Sequence, residues 1–294
     1  MKNLFISYLY KLRHDLAFKI TLIIGGGLAL FLSLIYFGIS FIRVDDVLSN
    51  DVNGQSMLIA SLSPGNNFGL AVPVNLITFT VLEFNQGSIR NKIIAGHSKA
   101  NIYTSLVING LVFTFVLMIA YALLCFGLGS IFGQITKAIL ENMKNDEIAQ
   151  YGSSTIYPDV TFMYSSEYVL KYIVLSAFCF VSIVSFTIFF SALFRNIGPS
   201  IPVVILILEF MASLAPIIAL FLNDNEGLLW AIRIIDPMYG ISEAALAGGA
   251  SSVLNLDGPT IDNETFISGI CSNVFYAAAF YLGGLFIFKK RDVK

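Results

Sequence analysis

The chain has 294 residues, of which 56% are hydrophobic and only 12% are charged, and its formal net charge is −2. A soluble globular protein usually carries about 25% charged residues, so this chain has too few charges to cover a water-exposed surface and lipid must be its main solvent. The near-neutral charge also excludes the basic field typical of a nucleic-acid-binding protein, and we expect no nucleic-acid partner.

Residues 1–18 form the first predicted element, an amphipathic helix that lies in the membrane interface. Six later segments are apolar and long enough to cross the bilayer. Because a spanning segment must satisfy its own backbone hydrogen bonds in lipid, we expect helices. The sequence thus predicts an all-α integral membrane protein with a single transmembrane domain over residues 1–294, whose spans are residues 20–42, 68–82, 102–131, 172–194, 197–222 and 266–288.

Between the fifth and sixth spans, residues 228–246 are unusually apolar for a loop. The Asp236-Pro237 pair interrupts them, because the residue before a proline is disfavoured in a helix. This pattern favours two short outer helices. They either dip back toward the membrane, with their broken backbone covered by protein, or form a surface hairpin packed on the bundle.

The basic residues predict that both termini lie in the cytoplasm. If the six segments each cross the membrane, twelve of the 17 Lys and Arg residues lie on the same side as the N-terminus. Basic residues concentrate on the cytoplasmic side of membrane proteins. We therefore expect a multi-pass protein of the plasma membrane, with the loop 83–101 inside and the loops 43–67, 132–171 and 223–265 outside.

Motifs for catalysis and metal binding are missing from the sequence. The two histidines, His14 and His97, belong to no H-E-x-x-H pattern and to no Cys/His cluster. The chain also has no G-x-x-x-x-G-K-S/T, so it cannot bind ATP by a P-loop. We expect no catalytic residue, no metal and no cofactor in this chain, and no enzyme activity of its own.

The loop 83–101 has the signals of a short helix between two spans. Gly87 ends the second span, Ser88 can cap the new helix with Asn91 at the third position after it, and Gly96 is a stop. A basic helix held rigidly between two membrane helices can pass on force from a cytoplasmic partner. Alternatively, its basic residues only anchor the chain on anionic headgroups.

The run E-F-x-x-G-S-I-R-N-K-I-I-x-G-H-S-K-x-x-I-Y, residues 83–103, resembles the corresponding loop of bacterial ABC-2-type permeases, the membrane subunits of ATP-driven exporters. In that family a glutamate closes the second span, and the next segment is the coupling helix that docks on the ATPase. The six spans, the interfacial helix, the outer helices and the ending Phe288-Lys289-Lys290-Arg291-Asp292 are also similar. The loop 132–171 is longer than a minimal member needs, and Glu209 matches no family motif.

The resemblance implies a permease subunit in a bacterial plasma membrane. ATP and Mg would be bound by two copies of a cytoplasmic P-loop ATPase, and a second permease, identical or homologous, would complete the pathway as a dimer. The cargo would be amphipathic: an antimicrobial or other peptide, a lipid-like molecule or a drug. The residues expected to serve coupling to the ATPase are Glu83, Gly87, Ser88, Arg90, Asn91, Lys92 and Gly96.

Glu209 is the one ionisable side chain deep in a predicted span. A carboxylate in lipid is costly, so Glu209 either lines the pathway or the subunit interface, or is protonated and hydrogen-bonded to a neighbouring helix. Pro73 and Asn75 in the polar-spotted second span are further candidates for the pathway.

Two other function classes stay open. An ion-gradient-driven secondary transporter or channel is expected to show several intramembrane ionisable residues or matched broken helices, whereas this chain has one glutamate and unmatched prolines. A non-transporting membrane immunity protein needs no large soluble domain, which agrees with the short loops.

Overall fold

A computed structural model describes residues 6–8, 10, 14, 16–41, 48–49, 52–63, 67–157, 164–222, 236–238, 240–242, 244 and 260–290. Within these ranges the regular secondary structure is α-helical apart from one pair of two-residue strands. The elements in chain order are α1 (Leu16–Ile39), β1 (Leu48–Ser49), α2 (Gly54–Leu62), α3 (Asn67–Asn85), α4 (Ser88–Ile94), α5 (Lys99–Tyr151), β2 (Ile156–Tyr157), α6 (Ser166–Phe194), α7 (Ile197–Leu222) and α8 (Asn263–Lys290).

Four of the described helices, namely α1, α5, α6 and α8, are long and apolar enough to cross a membrane, so the chain is a multi-pass membrane protein. Helices α3 and α7 contain shorter apolar stretches, Ala71–Asn85 and Ile197–Met211. Five of the six predicted spans agree with a helix to within a few residues at each end.

The helix that contains the third predicted span is much longer than that span. Helix α5 has 53 residues and runs without a break to Tyr151, so residues 132–151, expected in a loop, are helical. This stretch contains no proline and is rich in good helix formers, which hold a helix whether or not it is apolar. At 1.5 Å per residue α5 is about 80 Å long, well beyond the ~30 Å hydrocarbon layer.

The other two predicted helical segments lie partly outside the described residues. In the range 1–18, the described residues Ile6 to Tyr8, Tyr10 and His14 are helical, as are residues 16–18 at the start of α1. In the range 228–246, Pro237 and Met238 form a turn directly after Asp236, and the described residues 240–242 and 244 are helical. The predicted interruption at Asp236-Pro237 therefore coincides with a turn.

Helix α6 is the most buried of the four long helices, and α1 is among the least buried. Helix α6 packs against α8, α3, α5 and α7. One end of this bundle carries α4, and we call it the α4 end. The C-terminal ends of α3, α6 and α8 and the start of α5 meet there.

At the opposite end, α2 packs on the extended part of α5 through glycines. A Cβ atom on Gly129 would lie 2.5 Å from Met57 Cγ, and one on Gly133 would overlap the Val52 carbonyl oxygen. The hydroxyl of Ser176 donates a hydrogen bond to the Leu62 carbonyl at 2.6 Å, which ties the end of α2 to α6. The strands β1 and β2 pair in parallel beside this contact.

We expect Gly133→Ala to destabilise the protein by about 1–3 kcal/mol, because the added methyl forces α2 away from α5. Gly127→Ala is the matched control, since it lies in the same helix and its added methyl would have no neighbouring atom within 4 Å. Alanine there favours the helix by up to about 1 kcal/mol. Chemical unfolding of both variants in detergent measures the difference. Equal stabilities would contradict the packing of α2 on α5.

Candidate functional site

Two glycine turns define α4. Gly87 has a left-handed backbone with φ of 67° and its carbonyl accepts a hydrogen bond from Asn91 N–H at 3.0 Å. The prediction that Ser88 caps this helix was wrong: Ser88 is its first residue and Gly87 is the cap, without a side-chain hydrogen bond. The left-handed backbone at Gly87 turns the chain from α3 into α4 within two residues, and glycine adopts that conformation at no steric cost.

The end of α4 is closed by a Schellman motif around Gly96. Gly96 has φ of 87° and donates its N–H to the Ile93 carbonyl at 3.0 Å, while His97 donates to the Lys92 carbonyl at 3.1 Å. These two bonds satisfy carbonyl groups that the end of a helix leaves free. Ser98 then caps α5 by accepting a hydrogen bond from Asn101 N–H. Gly96 is therefore the stop that the sequence predicts.

A buried ion pair fastens α4 to α3. Lys92 Nζ lies 2.7 Å from Glu83 Oε2, and the Glu83 side chain has no solvent exposure. The Lys92 ammonium also lies 3.4 Å from the centroid of the Tyr8 ring, so a residue of the N-terminal segment covers the pair. Burial, and then the nearby Glu83 carboxylate, raise the pKa of the Tyr8 phenol. Removing either charge would leave the other buried without its partner, which is strongly destabilising.

Aromatic side chains join the remaining helix ends at the α4 end. The Phe84 ring lies 5.7 Å from Phe288 of α8, and Phe288 lies 5.6 Å from Tyr103 of α5. The Arg195 guanidinium, at the turn between α6 and α7, lies 5.1 Å from the Phe84 ring. Ring centroids at these separations are within the favourable range for aromatic and cation–π contacts. Phe84 therefore contacts both the α6–α7 turn and α8.

The surface of α4 that faces away from the bundle is open. Arg90 and Asn91 are exposed, and Ile94 is 74% exposed, whereas Ile89 on the opposite face is buried. The structure thus divides the predicted coupling residues into two groups. Glu83 and Lys92 meet inside the protein, and Arg90 and Asn91 remain available to a partner.

Three residues, Glu209, Pro73 and Asn75, are predicted to line a pathway. Of these, Glu209 is the ionisable one, and exposed apolar side chains lie near it on the same helix. Pro73 is buried, and the Asn75 amide donates to the Ala71 carbonyl of its own helix at 2.8 Å. Glu209 is half-buried, and on the same helix Leu206 is 67% and Phe210 is 64% exposed.

Asp236 is a buried carboxyl that the sequence pattern did not single out as a candidate. It is only 8% exposed, and its Oδ1 accepts a hydrogen bond from Met238 N–H at 2.8 Å. Burial raises the pKa of Asp236 to about 6, although the Met238 N–H lowers it in part. Asn273 of α8 donates to the neighbouring Pro237 carbonyl at 2.8 Å, which docks this turn on α8. The only sequence signal was the Asp-Pro pair, which indicates a turn and not burial.

No protein-family model matches the chain, and neither a curated protein nor a solved structure matches it. Among the residues that the structure describes, no group of three or more His, Cys, Asp and Glu side chains could hold a metal ion. The relation to ABC-2-type permeases therefore stays a prediction from the loop 83–103, and the geometry of the α4 end carries the functional argument.

We expect Lys92→Met to destabilise the protein by about 3–5 kcal/mol, because it leaves the Glu83 carboxylate buried and uncompensated. The double variant Glu83→Gln/Lys92→Met should recover much of this loss, and exposed Arg90→Ala should stay within about 0.5 kcal/mol of the parent. A double-mutant cycle of unfolding free energies in detergent measures the coupling. Additive effects of the two substitutions would contradict the ion pair.

Stability should depend on pH through Asp236. Because its pKa is raised to about 6 in the folded protein from an ordinary value of 3.8, the folded state binds the proton more tightly. Stability should therefore be greatest below pH of about 4, fall as pH rises to about 6, and stay level above that.

Asp236→Asn keeps an acceptor for the Met238 N–H but carries no charge. We expect it to be more stable than the parent by up to about 3 kcal/mol above pH of about 6, with the difference vanishing near pH of about 4. Unfolding followed by circular dichroism across this pH range tests the effect, with exposed Glu141→Gln as the control. A variant whose stability falls with pH in parallel with the parent would rule out Asp236 as the cause.

Proposed function

We propose that the chain is the membrane subunit of a bacterial ATP-driven exporter, which moves an amphipathic substrate outward with ATP and Mg bound by separate P-loop ATPase subunits. In this proposal α3 and α7 also cross the membrane. Their 19 and 26 residues correspond to about 28 and 39 Å, close to or above the ~30 Å that a span requires. The protein then has six spans, with both termini and the α4 end in the cytoplasm.

The observation that carries the proposal is the fastening of α4. This helix has seven residues, is bounded by two glycine turns, and is joined to α3 by the buried Glu83–Lys92 pair. It cannot tilt or slide without breaking that pair or moving α3 with it. A force that a bound partner exerts on the open face of α4 would therefore be transmitted through α3 to the membrane helices. Coupling to a separate ATPase requires such transmission.

The charges and exposure of the α4 end support the same interpretation. The open face of α4 offers a cation at Arg90, an amide at Asn91 and an apolar contact at Ile94. A protein surface that combines these groups suits a protein partner, since arginine is enriched where interfaces form. Basic residues of α5 and α8 lie at the same end, where Lys99 Nζ donates to the Lys289 carbonyl at 3.2 Å, in agreement with a cytoplasmic position.

The test begins with copurification. We expect a tagged chain, extracted from the membranes of its own host, to carry a P-loop ATPase identified by mass spectrometry. The variant Arg90→Glu/Asn91→Glu should lose the ATPase by at least about tenfold while its own amount in the membrane is unchanged. Lys289→Glu, an exposed reversal at the same end but outside α4, is the control and should keep the partner.

Two results would contradict the proposal. One is a parent chain that repeatedly purifies without any nucleotide-hydrolysing protein. The other is an ATPase that stays bound to the Arg90→Glu/Asn91→Glu variant, or one that is lost equally from this variant and from the Lys289→Glu control.

A further inference from the structure

Glu209 places a carboxyl group near the middle of α7. It is twelve residues from the start of α7 at Ile197, which places it about 18 Å along the helix. In the part of the chain that the structure describes, Glu209 makes no hydrogen bond and no ion pair. It is half-buried, so it is neither enclosed by its own chain nor fully open.

The surface around Glu209 is apolar and uncovered. Leu206, three residues before Glu209, is its neighbour on the helix surface and is 67% exposed, and Phe210, four residues after Leu206, lies beside that leucine and is 64% exposed. Lipid is an unfavourable cover for this surface, since a carboxylate facing hydrocarbon costs several kcal/mol.

Direct packing of a second copy on this face is also unfavourable. In a two-fold symmetric dimer the same patch meets itself, so each Glu209 would approach the other. Two carboxylates close together cannot both stay ionised without compensation. A ligand with a positive charge would therefore complement Glu209, and Leu206 and Phe210 would provide apolar contacts for the rest of that ligand.

We propose that Glu209, Leu206 and Phe210 form a binding site for a lipophilic cation, and that the exported substrate is of this class. The carboxylate would pair with the positive group, and the leucine and phenylalanine would contact the apolar body. The substrate assignment rests on the exporter proposal, but the binding site does not, because binding to the purified chain requires no ATPase.

The experiment measures binding of radiolabelled tetraphenylphosphonium to the purified chain in lipid nanodiscs, with empty nanodiscs subtracted as background. We expect saturable binding to the parent, a loss of affinity of at least about tenfold in Glu209→Gln, and near-parent affinity in Glu209→Asp. Exposed Glu141→Gln should bind as the parent does. Tetraphenylborate, an anion of the same shape, should show no saturable binding.

Three results would overturn the site. The first is parent-like affinity in Glu209→Gln, and the second is saturable binding of tetraphenylborate equal to that of the cation. The third is a parent dimer that Glu209→Gln dissociates into monomers, which would assign this face to a second copy. Circular dichroism of each variant confirms that it is folded. If the cation binds through Glu209 but no ATPase copurifies with the chain, the exporter proposal fails and the binding site stands.

Discussion

The buried Glu83–Lys92 pair is the interaction on which the α4 end depends. Glu83 lies in the last turn of α3 and Lys92 lies in α4, so their 2.7 Å contact makes one rigid body of two helices. The pair is sheltered by Tyr8, whose ring lies 3.4 Å from the Lys92 ammonium. Desolvating two charges is expensive, and their mutual attraction repays that cost only when the geometry is good. The result is a fixed direction for α4, which leaves Arg90 and Asn91 free of the bundle.

Three carboxyl groups in this apolar protein differ in the polar partner that each one has. Glu83 has a lysine partner at 2.7 Å. Asp236 has a backbone N–H and a pKa raised toward neutrality by burial, so its charge depends on pH. Glu209 has neither in the described chain, and its apolar neighbours are exposed. The first arrangement gives rigidity, the second couples stability to pH, and the third leaves a place for a positively charged ligand.

Hydropathy was enough to predict a helical multi-pass protein and most helix positions, because lipid imposes long apolar runs. It placed residues 132–151 in an outer loop and gave no structure for them, whereas α5 continues through them as a helix, because helix propensity does not require apolar residues. The loop chemistry predicted Gly87 and Gly96 as boundaries but misplaced the cap at Ser88. The contact of Tyr8 with Lys92 joins residues far apart in sequence, and local patterns carry no signal for it. The six spans and the orientation stay predictions.

The most direct test measures on which side of the membrane α4 lies and whether its open face is accessible to a labelling reagent. Asn91→Cys provides a reactive site in a Cys271→Ser background, because the other two cysteines, Cys125 and Cys179, are buried. If α4 couples the spans to a cytoplasmic ATPase, a membrane-impermeant maleimide will label position 91 of this variant in inside-out vesicles and not in intact cells. Labelling in intact cells would place α4 outside the cell, where no ATPase could drive it, and would contradict the proposed coupling.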